Sequence, residues 1–371
     1  MKLTFKSILF TLTILATCSD SEAVVSDEPK ENPQSIKEVV AEVFPEGNVF
    51  IGAAAQHKYF GTKVFEIFDR EFSYATPGIM FKQSIIHPEP GKYNYEKADD
   101  WVQHCRENNQ VIRMHAPISP QCSRWARTDS RTPEELETNL VEYMTALCKR
   151  YNGIPEILWL DVVNETIERS GEWFGPKPGT DQWENPWPKI GYDESHPLRP
   201  PLYIKKAFEI ANEFAPDLKL IINQHGGLEK ESWVKMKQLV AYLRENNLRV
   251  DGIGWQAHVD LGWEKIPGNL DYLKEIILWC QSNNLEFHIT EFNVWLKGKD
   301  ARKHNEQANT FKAIAKVLLD NQNSKITSIN FWNISNIESD SFKEWDGSMW
   351  DADYEPKPAY YAILDLLKSY K

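Results

Sequence analysis

Residues 156–165 read EILWLDVVNE, an apolar run with one aspartate inside it and an asparagine and a glutamate at its end. The run is too short for a buried helix. Bounded by Gly153 and Pro155, it fits a strand covered on both faces, as in a parallel sheet. Similar runs recur on either side: NVFIGAAA at 48–55, QVIRMHA at 110–116, LKLIIN at 218–223, VDGIGWQAH at 250–258, LEFHITEFN at 285–293 and ITSINFW at 326–332. Amphipathic stretches at 98–108, 133–151, 203–214, 231–246, 270–283 and 304–319 separate them, after a short helix signal at 33–44. With 72–75 as a weak second strand, strand and helix alternate around eight strands. The expected fold is α/β, a (β/α)8 TIM barrel closed on itself, in preference to an open doubly wound sheet. The GAAAQ at 52–56 lacks the glycine spacing of a dinucleotide loop.

In such a barrel the residues that end the strands gather at one mouth. Asn164 and Glu165 end the fourth strand, and Glu291 ends the seventh. A carboxylate directly after a run such as ILWLDVV is costly unless solvent, a partner or a ligand meets it. Strands four and seven lie across the mouth from each other, so the two glutamates can flank one glycosidic oxygen. One protonated and one ionised carboxyl is the arrangement that hydrolyses a glycoside. Position alone also allows a solvated rim charge or a structural ion pair. The insert at 168–201, rich in Pro, Gly and Trp, follows the fourth strand and is expected to wall the site; a second insert, 333–360, follows the last strand.

The net charge of −12 argues against a nucleic-acid partner, which needs a basic stripe, and suits a neutral or weakly charged glycan. Fourteen tryptophans supply either a generous core or flat platforms for sugars. Residues 1–17 place Lys2 and Lys6 before an apolar run too short to span a bilayer, and the run ends L-A-T-C. That pattern predicts a lipoprotein-type signal over 1–18 with lipid on Cys18, the alternative being simple cleavage near Ala23. A tether over 19–34 and one catalytic domain over 35–371 follow, with the outer membrane or cell surface as the expected location, or else the periplasm or medium. Cys105, Cys122, Cys148 and Cys280 show no metal spacing and leave disulfides and isolated thiols both open. No H-E-x-x-H or EF-hand spacing occurs, and no cofactor or metal is expected. The chain is expected to be a monomer.

The motifs DVVNE (161–165), ITEFN (289–293), GIGWQAH (252–258), PEPGKY (88–93) and PKPAY (356–360) together resemble glycoside hydrolase family 10, the xylanase family, over residues 44–371. The resemblance implies Glu165 as general acid/base and Glu291 as nucleophile, with retention of configuration and carboxyls about 5 to 5.5 Å apart. It implies that Asn164 binds the 2-hydroxyl of the sugar at −1, that His258 orients the nucleophile and that Gln256 lies beside it. Lys82 is matched to a lysine reaching the glycone sugars, and Trp332 and Trp345 to aromatic walls around −1. His115 and Asn223 complete the expected substrate-binding set.

Departures from the family concentrate on the glycone side. Where the family has T-P-E-N-E-M-K-W, residues 76–83 read TPGIMFKQ, so Gly78 and Ile79 replace the groups that hold the sugar at −2 and Met80 replaces a second glutamate. Ser119 and Pro120 stand in place of a tryptophan and a histidine, NQHG at 223–226 replaces N-D-Y-N, and Asn293 replaces an aspartate expected to support His258. Loss of hydroxyl-pairing groups relaxes or changes substrate choice. The expected activity is cleavage of internal β-1,4-xylosidic bonds of xylan. The alternatives are the same chemistry on another β-glycan or on decorated or short xylo-oligosaccharides, and a surface glycan-binding lipoprotein with little turnover.

Overall fold

Helix starts follow the sequence closely. Ser35 caps Ile36–Val43 in a reciprocal box with Glu38, which is why this helix begins later than residue 33. Thr132 and Glu135 do the same for Pro133–Tyr151, with Pro133 in the first turn. In this computed structural model the described residues are 34–371, apart from 129, 177–184, 299 and 339–343. The signal over 1–18, Cys18 and nearly all of the tether therefore lie outside the described residues.

The strands are β1 (Val49–Ala54), β2 (Tyr74–Thr76), β3 (Val111–Met114), β4 (Ile157–Asn164), β5 (Lys219–Gln224), β6 (Gly252–Trp255), β7 (His258–Asp260), β8 (Glu286–Trp295) and β9 (Thr327–Trp332). All pairings between them are parallel, and β1 to β6, β8 and β9 close into an eight-stranded barrel through β6–β8 and β1–β9. The expected (β/α)8 barrel is the fold observed. β7 is a short extension that continues the β6 run beside β8, pairing His258 with Asn293. It is separate because Ala257 takes φ +59°, which breaks the strand between Gln256 and His258.

Among the described residues, helices Lys63–Glu71, Gln83–Ile86 and Pro358–Lys368 were not anticipated from the sequence. Lys63–Glu71 buries Val64, Phe65, Ile67 and Phe68, and its last turn delays β2, since the Phe72 N–H still bonds to the Phe68 carbonyl. Pro358–Lys368, inside and beyond the presumed second insert, buries Ile363, Leu364, Leu366 and Leu367 and completes the outer ring.

Side chains alternate in and out along each strand. Tyr74, Trp159 and Ile221 form an apolar layer inside the barrel, partly sealed by Phe50 and Val111. A polar layer shares that interior. Arg113 Nη1 donates to Asp161 Oδ1 at 2.6 Å and its Nε donates to the Tyr74 hydroxyl at 2.6 Å, all three buried. His288 bridges Ser328 and Glu286, and the indole of Trp159 donates to Glu286. The four cysteines of the described residues are buried, and Cys105, Cys148 and Cys280 are free thiols.

Candidate active site

Strand β4 shifts register between Asp161 and Val163, and Glu165, the residue after it, takes φ +55°. Its N–H bonds to the Asn223 carbonyl at 3.0 Å. The left-handed region is unfavourable for a residue with a side chain, by roughly 1–3 kcal/mol, and such conformations cluster at functional sites. Ala257 and Asn333 (φ +72°), following β6 and β9, share it. These kinks turn the chain so that consecutive polar side chains reach the mouth.

Three side chains then connect the two glutamates. Gln256 Nε2 donates to Glu165 Oε1 at 2.9 Å and to Asn164 Oδ1 at 3.1 Å. Asn223 Nδ2 donates to the same Asn164 oxygen at 2.8 Å and to Glu291 Oε1 at 2.9 Å. Thr290 Oγ1 fixes the other end of the Asn223 amide at 2.7 Å. The chain Glu165–Gln256–Asn164–Asn223–Glu291 is thus continuous, and every member is buried. Gly254 makes room for it: a Cβ there would stand 2.4 Å from Asn223 Oδ1. Two donors on Asn164 Oδ1 leave its Nδ2 without a protein partner among the described residues, and Glu165 Oε2 is also unpaired.

Glu291 sits among basic groups. His258 Nε2 is 3.2 Å from Oε2, His115 Nε2 is 3.6 Å from Oε1, and Lys82 is buried nearby. Burial pushes this carboxyl up, but His115, His258 and Lys82 together outweigh it and hold Glu291 down at about 2. Burial likewise lowers the Lys82 ammonium, opposed by Glu165 and Glu291. Protonation of Glu291 would remove a nucleophile. The acid-side fall of kcat/KM is therefore expected near pH 2, well below the usual carboxylate value of 4.5. His258→Gln lets burial reassert itself and should move that fall up by about one pH unit. Brief assays with recovery at neutral pH separate this from unfolding. A fall at the same pH in both proteins would show that His258 does not set the charge of Glu291.

The structure brings Glu165, Glu291, Asn164, Gln256, His258, Asn223 and His115 together, with Lys82 beside them. Asn223 is fully buried and spends both ends of its amide on neighbours, so it positions others. Lys82 donates to Gln121. The Trp332 ring lies 5.3 Å from that of His115 and 6.3 Å from that of His258. Trp345 stands farther out, half-exposed and 4.8 Å from Trp295, which itself stacks on His258 at 5.3 Å.

Several supporting residues were not singled out from the sequence. Asp161 Oδ2 receives His115 Nδ1 at 2.9 Å; an ionised carboxylate only accepts, so the proton is on Nδ1. Asp161 is the first letter of DVVNE, and its place in the middle of an apolar strand was a signal. Trp295 and Arg113 carried no comparable mark. The departures also have local counterparts. Gln56 fills the space a side chain at Gly78 would need, its Nε2 2.7 Å from the position of a Cβ there. Trp187, from the 168–201 insert, donates to the Ser119 carbonyl at 3.1 Å. Asn293 donates to the Trp332 and Gly347 carbonyls, while its Oδ1 and His258 Nδ1 are both buried and unpaired. His258 is therefore steadied by Trp295 and not by an acceptor at Asn293.

Two cavities flank the glutamates. One of about 630 Å³ includes Arg169, just past Glu165, together with Glu229, His258, Trp263 and Trp295. The other, about 380 Å³, lies beyond Trp332 between the turns after β1, β2 and β9. Among the described residues no group of three His, Cys, Asp or Glu is placed to hold a metal, and no helix is long and apolar enough to cross a membrane.

A family model described as "Glycosyl hydrolase family 10" matches residues 36–366. The chain is 30% identical over 339 residues to the endo-1,4-beta-xylanase B of Thermotoga neapolitana, covering 86% of this chain and 89% of that protein. It is 30% identical over 337 residues to the endo-1,4-beta-xylanase A of Caldicellulosiruptor saccharolyticus, covering 85% and 92%. Among solved structures, xylanase 10B from Thermotoga petrophila, in complex with xylobiose, superposes with a TM-score of 0.76 at 28% identity, covering 91% of this chain and 98% of that one. Native xylanase 10B from Thermotoga maritima gives a TM-score of 0.76 at 27% identity, covering 90% and 98%.

Proposed function

Because this chain belongs to glycosyl hydrolase family 10, we propose that it cleaves internal β-1,4-xylosidic bonds of xylan with retention, using Glu291 as nucleophile and Glu165 as acid/base. The observation that carries this reading is the amide chain joining the two carboxyls, which fixes both in one frame. Glu291, held ionised by His115, His258 and Lys82, attacks the anomeric carbon. Glu165 delivers the proton to the departing glycosidic oxygen. Its Oε1 is tied to Gln256, and its unpaired Oε2 is the place for that proton. The resulting ester on Glu291 is then cut by water that gives a proton back to Glu165, so two inversions sum to retention. The free Nδ2 of Asn164 is placed to meet a hydroxyl of the bound sugar. No metal or cofactor takes part in these steps.

Export through residues 1–18, attachment by lipid on Cys18 and a monomeric state belong to the same reading. The test is to incubate the mature protein with plain xylan, mixed-linkage β-glucan and decorated xylo-oligosaccharides and resolve products over time. A ladder of short xylo-oligosaccharides is expected. Cleavage of the glucan alone would reassign the substrate, and retained binding without products would make the protein a glycan binder.

A further inference from the structure

The 380 Å³ cavity has Trp332 as one wall, and the same ring borders His115 and His258, so the cavity adjoins the catalytic centre. It lies on the side away from Arg169 and the loop that follows Glu165. A leaving group departs toward the acid, so this is the side of the sugars retained on Glu291. The volume is near the low end for small-ligand pockets, about 300–1,000 Å³.

Its charge runs against that of the protein. The chain carries −12 overall, yet Lys58 and Lys97 line this cavity with no carboxylate in ion-pair contact among the described residues. Lys58 lies over the Tyr59 ring at 4.8 Å. The His57 in the same wall is already taken by Asp100 at 2.7 Å. Ile79 and Met80 bring no charge. The one acidic group in the wall, Glu338, is buried; Oε1 accepts from the Ile334 and Ser335 amides and Oε2 has no partner. Burial pushes its carboxyl up to about 7 against the pull of the two amides and of the nearby Lys58 ammonium, so near neutral pH about half of it carries no charge that would repel an anion. The larger cavity differs. There Lys297 is paired with Asp260 at 2.7 Å, and Arg169 faces Glu229 at 3.6 Å.

Resting on the xylan reading above, we propose that the cavity between Trp332, Lys58 and Lys97 receives a sugar unit bearing a carboxylate, so that acid-substituted xylan is cut in preference to bare xylan. The two ammonium groups hold the carboxylate, and the apolar Ile79 and Met80 side chains face the ring. A preference of about tenfold in kcat/KM is the scale for two partly exposed ion pairs.

The test compares a uronic-acid-substituted xylan with the same polymer after its carboxyls have been reduced to alcohols. The wild type is expected to favour the acidic polymer about tenfold, to lose that preference as salt rises, and to release products with the acidic unit on the glycone side of the cut. In the Lys58→Ala/Lys97→Ala double variant the ratio of kcat/KM for the two polymers should fall close to one. Equal rates on both polymers in the wild type, or an unchanged ratio in the double variant, would overturn the assignment while leaving the xylanase reading intact. Cleavage of neither polymer would overturn both.

Discussion

Glu291→Ala abolishes measurable turnover of xylan, and added azide restores a glycosyl azide of inverted configuration from an activated aryl xylobioside. The reasoning is electrostatic. Removing the carboxylate leaves an empty volume faced by His115, His258 and Lys82, a site that still favours an anion. Azide fits there and attacks once, so the configuration inverts. Glu165→Ala should behave differently. It still forms the ester on Glu291 when the leaving group needs no proton, and azide then gives a product of retained configuration. On xylan its rate should fall by about 10²–10⁴-fold, the usual range for loss of a general acid/base. Identical azide products from both variants, or no rescue of Glu291→Ala in a protein that still folds, would reverse or remove the assigned roles.

Asp161→Ala lowers unfolding free energy by about 3–5 kcal/mol, the cost of breaking a buried ion pair by deleting one partner. Arg113 and Asp161 are both fully buried, and once Asp161 is gone Arg113 keeps the Tyr74 hydroxyl and the Trp159 face but no counter-charge in contact among the described residues. Asp161→Asn keeps the shape and should lose less stability, but it can offer an N–H to His115 Nδ1 and so favour the other tautomer. That would disturb the ring facing Glu291. Denaturant unfolding measures the first effect, and a fall in kcat/KM larger than the stability loss explains would reveal the second. A change below 1 kcal/mol for Asp161→Ala would mean that water replaces the lost carboxylate.

The strands were legible because a parallel barrel buries them on both faces, which leaves continuous apolar runs such as ILWLDVV and ITSINFW. The kink at Ala257 was not, since an alanine at positive φ carries no local signal; tertiary pairing of His258 with Asn293 imposes it. Helix Lys63–Glu71 hid because its apolar residues fall close to the weak run at 72–75, and Pro358–Lys368 hid in a stretch read as an insert. Glu165 and Glu291 were readable as carboxylates where strands end. Gln256 and His258 came from motif resemblance and Asn164 also from its place at a strand end, but the joining of Gln256, Asn164 and Asn223 in one amide chain shows only in the fold. The exchange of Gln56 for a side chain at position 78 was beyond sequence reading, because the two positions lie on different strands' turns.

The seam between β1 and β9 sets the order in which this molecule can assemble. Residues 49–54 find their second neighbour only in residues 327–332, so the ring cannot shut until a strand about 280 residues farther along the chain has formed. Contacts so remote in sequence slow folding. Until they form, two unpaired strand edges are presented to other chains, which is the surface on which aggregates grow. Pro358–Lys368 forms after β9 and packs on Ile36–Val43 and on His304–Asp320, tying together the helix that backs β1 and the helix that backs β9. This helix thus acts as the latch of the assembly, although it contributes neither glutamate.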